Sequence, residues 1–244
     1  MKMILNSNKT AVILAGGLGS RLRPYTLTIP KPLLPLNGIP IIHIVIRQLA
    51  SCGFTRVIIS LGYMSEMVKF VIDDGSKWGV QIEYLVEDEP LGTAGSLFLI
   101  KDPPPSFLVL NGDLLTTFQF DDLVAALNED DNAVAAVALH RRDVRIDYGV
   151  VKIDSNKNIV GYEEKPVLEY QVSMGIYALK NTVLRFLDGT YKDMPTLLLE
   201  LIQAGHSVIA FETESYWQDI GRLDDFNQAE KDFESDPKKF LLET

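Results

Sequence analysis

The chain has 244 residues and a formal net charge of −10 at pH 7, with 47% hydrophobic and 23% charged residues. This composition is typical of a globular domain with a substantial core, and it excludes a chain that is disordered throughout. The acidic balance argues against a general nucleic-acid binder, because such proteins normally present a basic face. The single cysteine, Cys52, excludes an intrachain disulfide and a cysteine-based zinc site.

We expect no targeting or membrane segment. Its start, MKMILNSNKT, is too short and polar for a secretion signal. No apolar run approaches the roughly 18 residues that a membrane span needs. We therefore expect a soluble, cytoplasmic protein.

The first half of the chain alternates predicted strands with predicted helices. Short β-branched apolar runs predict strands, and apolar residues at helical spacing predict helices. The predicted strands cover residues 10–15, 56–61, 81–86 and 107–110, and the predicted helices cover residues 40–51, 65–72 and 93–100. This alternation predicts an α/β fold of the Rossmann-like, doubly wound type, with a mixed, mostly parallel sheet.

The second half predicts several strands in succession, at residues 133–140, 149–153, 159–162 and 174–179. Such a run indicates a small antiparallel extension beside the first sheet. Helices near residues 182–187 and 194–204, a strand at 207–211 and a helix at 224–234 complete the prediction, and the tail after Asp236 is expected to fray.

Ligands of open α/β sheets bind beyond the carboxyl ends of the strands. Three segments are predicted there: the loop after Ala15, the turn at residues 111–113, and residues 87–95. The loop after Ala15 contains closely spaced glycines, which let backbone N–H groups approach a phosphate, and three cations. These residues are Gly16, Gly17, Gly19, Arg21, Arg23 and Lys31.

Two familiar phosphate-binding motifs do not fit this loop. A P-loop needs Gly-Lys-Ser/Thr at its end, and a dinucleotide fingerprint needs G-x-G-x-x-G leading directly into a helix. Here the glycines are followed by Pro24 and Pro30. The sequence therefore predicts a phosphate loop of another kind.

The segment GGLGSRLRPYTLTIPKPLLP, at residues 16–35, resembles the signature of the sugar-1-phosphate nucleotidyltransferases. Further matches follow in order along nearly the whole chain: EPLGTAGSL, NGD, YGVV, EEKP, MGIY and WQDIGR. Among the members of this family, the chain looks most like guanylyltransferases that act on mannose-, heptose- or amino-sugar-1-phosphates. The resemblance implies a nucleoside triphosphate and a sugar-1-phosphate as substrates, pyrophosphate as the second product, and Mg²⁺ as cofactor.

The resemblance also implies the organisation of the chain. We expect a single domain over residues 1–244, with a nucleotide-binding part at roughly 8–130 and a sugar-binding part at roughly 131–235. A homodimer built from this domain is a plausible assembly. No nucleic-acid or membrane partner is expected, and the product would enter glycan or polysaccharide synthesis.

The candidate reacting groups are two aspartates and two cations. By resemblance, Asp113 and Asp219 hold Mg²⁺, which prefers hard oxygen ligands and commonly takes one or two carboxylates plus substrate phosphates. Arg21 and Lys31 are expected to neutralise the phosphates, with Arg21 the better candidate for the charge that develops during transfer. Such a reaction needs positioning and cations more than a protein nucleophile.

The remaining site residues are also assigned by resemblance. The sugar-phosphate residues are Gly149, Glu164, Lys165 and Gly175, with Ser173 standing where many relatives have asparagine. The nucleotide-binding residues are Leu14, Ala15, Gly16, Gly17, Gly19, Arg21, Glu87, Gly92 and Thr93.

Glu87 bears on the choice of base. A carboxylate accepts hydrogen bonds only, so it can take both donors of the guanine edge, N1–H and N2–H₂. Uracil and thymine present one N–H between two carbonyls, which favours an amide partner. Glu87 therefore favours guanine, while uridylyl- and thymidylyltransferases remain alternatives, and an exposed strand end is the structural alternative for Glu87 itself.

Two rival functions and three other residues complete the predictions. A non-catalytic nucleotide-sugar sensor predicts the loss of a metal aspartate or of Arg21, and an NAD-dependent oxidoreductase predicts a standard Rossmann fingerprint; neither prediction matches this chain. His43 is expected to be structural and Cys52 a small buried residue. His140 is expected in a solvated turn, with contact to a substrate phosphate as the alternative.

Overall fold

The computed structural model describes residues 9–241. Its strands are β1 (Lys9–Leu14), β2 (Pro35–Leu36), β3 (Ile39–Pro40), β4 (Phe54–Leu61), β5 (Gln81–Val86), β6 (Ser106–Asn111), β7 (Leu114–Thr116), β8 (Ala133–Arg145), β9 (Val150–Ile153), β10 (Ile159–Glu163), β11 (Val167–Lys180), β12 (Ser207–Thr213) and β13 (Trp217–Asp219). Its α-helices are α1 (Ile41–Ser51), α2 (Ser65–Ile72), α3 (Gly92–Gly95), α4 (Phe120–Glu129), α5 (Met194–Gln203), α6 (Leu223–Ser235) and α7 (Pro237–Phe240).

Seven strands form the central sheet in the order β12-β8-β11-β6-β1-β4-β5. Neighbouring strands are parallel except where β11 is involved, which runs antiparallel to both β6 and β8. Two-stranded antiparallel pairs, β9–β10 and β13–β7, flank this sheet. The predicted fold class, a mostly parallel α/β sheet with an antiparallel extension, is confirmed.

Both faces of the sheet are covered, which explains the continuous apolar run of β1. Ala11 and Ile13 point into a core that they share with residues of α1, α2 and α4. Val12 points to the opposite face and a second core that includes residues of α3 and α5. The alternation of β1 therefore fixes its carboxyl end between two packed layers, where the glycine loop begins.

A third apolar cluster holds the carboxyl-terminal part of the described chain in place. It joins Leu22 and Ile41 to Ile220, Phe233 and Phe240. Because this cluster links the glycine-loop segment to the residues after β13, it brings Arg21 and Asp219 to the same side of the molecule.

Several predicted elements differ from the observed ones. The predicted helix at 93–100 is the four-residue α3 followed by a 3₁₀ turn at Ser96–Leu99, and the helix near 182–187 is a 3₁₀ helix at Asn181–Phe186. The tail does not fray at Asp236: α7 follows, and buried Phe240 packs against Phe233. The last residues, 242–244, lie outside the described part.

The strand β8 is longer than predicted, because its second half pairs with β11 beyond the main sheet. His140 therefore lies within a strand and not in a solvated turn. Helix α4 was not predicted, although Phe120, Leu123 and Leu127 are buried at helical spacing. Among the described residues, no helix is both long and apolar enough to cross a bilayer.

Candidate active site

A cavity of about 280 Å³ opens beyond the carboxyl ends of β1, β4, β5 and β6, at the edge where the sheet topology predicts a ligand. Nine of the predicted site residues line it: Leu14, Ala15, Gly16, Gly17, Lys31, Glu87, Gly92, Thr93 and Asp113. The remaining lining residues are Pro32, Ser60, Pro90, Ser96, Asn111, Gly112, Tyr191 and Asp193. The geometry thus brings residues of all three predicted segments to one cavity, together with residues of other segments.

The three glycines of the loop differ in the structural reason for their lack of a side chain. Gly19 has φ +59°, and an added Cβ would lie 2.9 Å from Thr26 Cγ2, so this residue serves the fold of the loop. At Gly16 an added Cβ would lie 3.1 Å from Glu87 Oε1. At Gly17 an added Cβ would meet no atom within 4 Å, and the residue faces the cavity. Among these glycines, Gly17 alone has no packing reason within the described chain, which leaves open space for a ligand.

Glu87 is held by the protein on both of its oxygens. The Ser60 hydroxyl donates to Oε1 at 2.7 Å, and the Leu91 backbone N–H donates to Oε2 at 2.9 Å. Each carboxylate oxygen has two lone pairs, so both can accept one further hydrogen bond from the cavity. Glu87 therefore orients the loop at residues 88–91 and presents acceptors to the cavity at the same time.

Gly92 and Thr93 join this loop to α5. Gly92 has φ +75°, and an added Cβ would lie 2.6 Å from the Lys192 carbonyl oxygen. The Thr93 hydroxyl accepts a hydrogen bond from the Met194 backbone N–H at 2.7 Å, which caps the start of α5. Both residues line the cavity, but the fold requires them independently of any ligand.

The Lys31 ammonium forms an ion pair with Asp113 Oδ2 on the wall of the cavity. Both side chains are largely buried, at 10% and 22% exposed. The other carboxylate oxygen, Asp113 Oδ1, is buried and has no hydrogen-bond partner among the described residues. A buried anionic oxygen without a partner is costly, so this atom is suited to a cation brought by a ligand.

Asp219 lies beside Asp113 because β13 pairs with β7. Asp219 is opposite Leu114 in this ladder, and the Ile220 N–H donates to the Asp113 carbonyl oxygen at 3.0 Å. Burial raises the pKa of the Asp219 carboxyl above its ordinary value, and the neighbouring Asp113 charge raises it further, against the opposing effects of Lys31 and Arg21. Two carboxylates at one place, with Asp113 Oδ1 left without a partner among the described residues, can share a divalent cation.

This pair fits the implied Mg²⁺ site. No group of three or more His, Cys, Asp or Glu side chains that could hold a metal is found within residues 9–241. Mg²⁺ does not need one, since it commonly takes one or two carboxylates and completes its shell with water and substrate phosphates.

Arg21 does not line the first cavity. It lines a second, larger cavity of about 670 Å³, together with Asp219 and the end of β8. An added Cβ at Gly221 would lie 3.2 Å from Asp219 Oδ2 and 3.4 Å from Arg21 Nη1, so both groups crowd the backbone after β13. The two cavities therefore meet at the Asp113–Asp219 pair.

The predicted sugar-phosphate residues are only partly brought to this place. Gly149 and Glu164 lie together on the antiparallel extension, where the Tyr162 hydroxyl donates to Glu164 Oε2 at 3.2 Å and occupies the space beside Gly149. Neither they nor Lys165 lines either cavity. Gly175, with φ +71°, adjoins Asn111, which does line the first cavity.

Some lining residues were not predicted from the sequence. Ser60 stands near the end of a predicted strand, and this position is the signal that could have found it. Asn111 belongs to the turn at residues 111–113 that was expected at this edge, although no role was assigned to it. Tyr191 and Asp193 reach the cavity from a distant loop, where the Tyr191 hydroxyl donates to Asp193 Oδ2 at 2.8 Å. No local sequence pattern predicts that these two residues line the cavity.

Comparisons with known proteins agree with this geometry. The nucleotidyl transferase family profile matches residues 10–236. Mannose-1-phosphate guanyltransferases of Yarrowia lipolytica and Schizosaccharomyces pombe are 35% and 34% identical over 224 and 226 residues. Each alignment covers 88% of this chain, but only 61% and 62% of the respective relative. The chain thus spans about three fifths of the length of these relatives.

Solved structures share the fold over nearly the whole chain. A putative glucose-1-phosphate thymidylyltransferase from Bacillus anthracis, in complex with a sucrose, has a TM-score of 0.73 and 27% identity, and the match covers 91% of this chain and 94% of that one. HddC from Yersinia pseudotuberculosis has a TM-score of 0.71 and 24% identity, covering 92% and 99%. With the profile match, the cavity at the strand ends and the paired aspartates, these findings establish that the chain belongs to the nucleotidyl transferase family.

Proposed function

We propose that this protein transfers a guanylyl group from GTP to a sugar-1-phosphate, with mannose-1-phosphate as the first candidate acceptor and heptose- or amino-sugar-1-phosphates as the others. The observation that carries the proposal is the half-buried Asp113–Asp219 pair beside Lys31, where a glycine-loop cavity meets a second cavity lined by arginines and aspartates. The mannose-1-phosphate guanyltransferases at 33–35% identity support the choice of acceptor and base.

The proposed reaction is an in-line displacement. An oxygen of the sugar phosphate attacks the α-phosphorus of the triphosphate and forms a new P–O bond. The bond between the α-phosphorus and the oxygen that bridges to the β-phosphorus breaks, and its electron pair leaves with pyrophosphate. No protein nucleophile is needed, so the chain acts by positioning and by charge.

Asp113 and Asp219 are the residues that would hold Mg²⁺. When bound, the ion would neutralise the phosphates and help align the reacting oxygens. The chain's own contribution is to bring the two carboxylates together through the β7–β13 ladder and to leave Asp113 Oδ1 without a partner among residues 9–241. Lys31 restrains the other Asp113 oxygen and adds positive charge to the wall that the phosphates would face.

The first cavity is suited to the nucleoside and the α-phosphate. Its walls expose mostly apolar surface, and Gly17 leaves backbone accessible at the place where a phosphate would approach. Glu87 offers two acceptors to the cavity, and this arrangement matches the two donors of guanine better than the single N–H of uracil. These features support GTP over UTP and dTTP.

The test is pyrophosphate release from GTP and mannose-1-phosphate with Mg²⁺, compared with UTP, dTTP and other sugar phosphates. We expect release with GTP, and we expect Asp113→Asn to lose about two to three orders of magnitude in kcat, on the scale of removing one preorganised electrostatic contact to the transition state. The matched control is Asp122→Asn, at an exposed position of α4, which should retain wild-type activity and melting temperature.

The outcomes separate the alternatives. A well-folded Asp113→Asn variant with undiminished turnover would remove the metal assignment. Turnover only with UTP or dTTP would keep the reaction and reject the base assignment. Binding of a triphosphate, without release of pyrophosphate from any tested pair, would favour the sensor.

A further inference from the structure

The strands β9 and β10 form a ribbon that presents apolar side chains to solvent. In the described part of the chain these strands pair only with each other, so the ribbon is a separate two-stranded sheet beside the central one. No residue of either strand is buried. The exposed apolar side chains of the ribbon are Val151 (43%), Ile153 (64%), Ile159 (70%), Val160 (64%) and Tyr162 (67%). None of them belongs to the three apolar clusters of the fold.

The register of the ribbon places most of these apolar side chains on one face. Val151 stands opposite Tyr162, and Ile153 stands opposite Ile159. Residues directly opposite each other lie on the same face of a sheet, as do residues two apart on one strand. These four side chains therefore share one face, whereas Lys152 points to the other. Such an alternation is typical of a sheet that packs one face against a partner, yet this apolar face is largely exposed.

The apolar face of the ribbon is large for the surface of a monomer. At these exposed fractions the five side chains present roughly 500 Å², which is within the range of the largest apolar patch of a typical monomer, and such a patch often marks an interaction site. A stable interface buries about 800 Å² on each partner, so this face alone would supply more than half of that area. An isolated two-stranded ribbon is at best marginally stable in water, so the ribbon itself gains from a partner that covers it.

The charge of the ribbon favours a second copy of this chain as that partner. Residues 150–163 contain two cations and two anions, Lys152, Lys157, Asp154 and Glu163, and therefore carry no net charge. The whole chain carries −10, so contact between other parts of two copies would on average be opposed by repulsion. Two ribbons avoid this repulsion locally, whereas a strongly charged partner would find no complementary charge on the ribbon. Neutral apolar faces that are identical also suit the two-fold symmetric dimer, the commonest assembly of soluble oligomers.

We infer that two copies of this protein associate through the apolar faces of their β9–β10 ribbons, packed face to face about a two-fold axis. Each apolar face then covers the same face of the other copy, while the polar faces remain in water. The contact adjoins a residue expected to bind the acceptor, because the Tyr162 hydroxyl donates to Glu164. The inference goes beyond the proposed function and does not depend on it.

The first test is the mass of the protein in solution, measured by sedimentation equilibrium from dilute to concentrated protein. The variant is Ile153→Thr/Ile159→Thr, which removes apolar surface but keeps β-branched side chains, so the strands retain their propensity and a favourable cross-strand pair. The matched control is Leu199→Gln/Ile202→Gln. It removes a comparable pair of exposed apolar side chains from α5 and replaces them with side chains that a helix accepts.

The second test needs no variant, because it follows amide hydrogen exchange of the wild type over the same range of concentrations. Association would stabilise the ribbon against local opening, and opening is what allows its amides to exchange. We therefore expect slower exchange at residues 150–163 in concentrated protein than in dilute protein.

We expect the wild type to sediment at twice the mass of one chain when concentrated and at the mass of one chain when dilute. The variant Ile153→Thr/Ile159→Thr should raise the dissociation constant of the dimer by at least about a hundredfold, because four isoleucine side chains per dimer lose their burial. The control should keep the wild-type dissociation constant. Circular dichroism should show the wild-type content of helix and strand in both variants.

Three results would overturn the inference. The first is a wild type that stays monomeric at every concentration. The second is a dimer that Ile153→Thr/Ile159→Thr leaves intact and in which residues 150–163 gain no protection, which would place the interface elsewhere. The third is protection of these residues by mannose-1-phosphate in a protein that stays monomeric, which would make the ribbon a cover for the acceptor.

Discussion

The substitution Glu87→Gln tests separately the two roles proposed for Glu87. One role is to hold the loop at residues 88–91, and the other is to bind the base of the nucleotide. Glutamine can keep both observed contacts, because its amide oxygen accepts from the Leu91 N–H and its amide nitrogen donates to the Ser60 hydroxyl. The fold of the loop should therefore survive. What changes is the cavity side, where one acceptor becomes a donor.

The magnitude follows from that single exchange. Guanine would lose one of two charge-assisted hydrogen bonds, each of which contributes about 1.5–3 kcal/mol. At about 1.4 kcal/mol per factor of ten, kcat/KM for GTP should fall by about 10- to 150-fold. The value for UTP should hold or rise, since an amide offers the donor–acceptor pair that uracil matches.

The assay compares kcat/KM for GTP and UTP in wild type, Glu87→Gln and Glu87→Ala, with melting temperatures for each. Glu87→Ala should lower the melting temperature, since it removes both loop contacts, whereas Glu87→Gln should not. The control Glu89→Gln makes the same chemical change at an exposed position of the same loop. If Glu87→Gln keeps the wild-type preference for GTP, Glu87 only positions the loop, and the base is read elsewhere.

Two further predictions concern the loop glycines and a buried histidine. Gly17→Ala should keep the wild-type melting temperature and weaken triphosphate binding, while Gly92→Ala should lower the melting temperature, because its Cβ would meet backbone; equal loss of stability in both would contradict the distinction. Burial, with a smaller effect of Lys77, lowers the pKa of His43 to about 4, so between pH 6.5 and 4 the unfolded chain binds a proton that the folded chain does not. As the pH is lowered from 6.5 to 4, the free energy of unfolding should therefore decrease by at most about 1.4 kcal/mol per pH unit. Denaturant titrations at several pH values should show a smaller decrease for His43→Phe.

The alternating half of the fold was predictable because each element carries its own local signal. Strand β5 and helix α2 were predicted to the residue, and β1, β4 and β6 to within two residues at either end. Buried parallel strands read as apolar runs, and this pattern needs no knowledge of the partner strand. The cavity was expected at the carboxyl ends of these strands, because ligands of open α/β sheets bind there.

The second half was harder because its structure depends on long-range pairing. The exposed halves of β8 and β11 have no buried face of their own, and they are strands because they pair with each other. The short strands β7 and β13 lie far apart in the sequence, so the meeting of Asp113 and Asp219 was implied by family resemblance and not by any local pattern. Arg142 and Arg222 reach the second cavity through contacts between distant segments, and the sequence analysis gives them no site role, whereas for His140 it gives contact with a substrate phosphate as the alternative.

The assignment of individual site residues to GTP, sugar phosphate and Mg²⁺ remains a set of predictions. Thr93 illustrates why proximity is insufficient: it lines the cavity, yet its hydroxyl has a structural partner in α5. Gly17 and Asp113 Oδ1 are the stronger candidates, because nothing else in the described chain accounts for them.

Strand β11, the one antiparallel strand of the central seven-stranded sheet, has a consequence for the order in which the protein is made. Strand β6 has β1 on one side, and its other neighbour is β11, which is synthesised after α4, β8, β9 and β10. A nascent chain that ends before β11 therefore displays the bare edge of β6, and such edges invite pairing with other chains. Asp219 emerges later still, so a ribosome that stops early releases a chain with most of the first cavity's lining but without the second carboxylate.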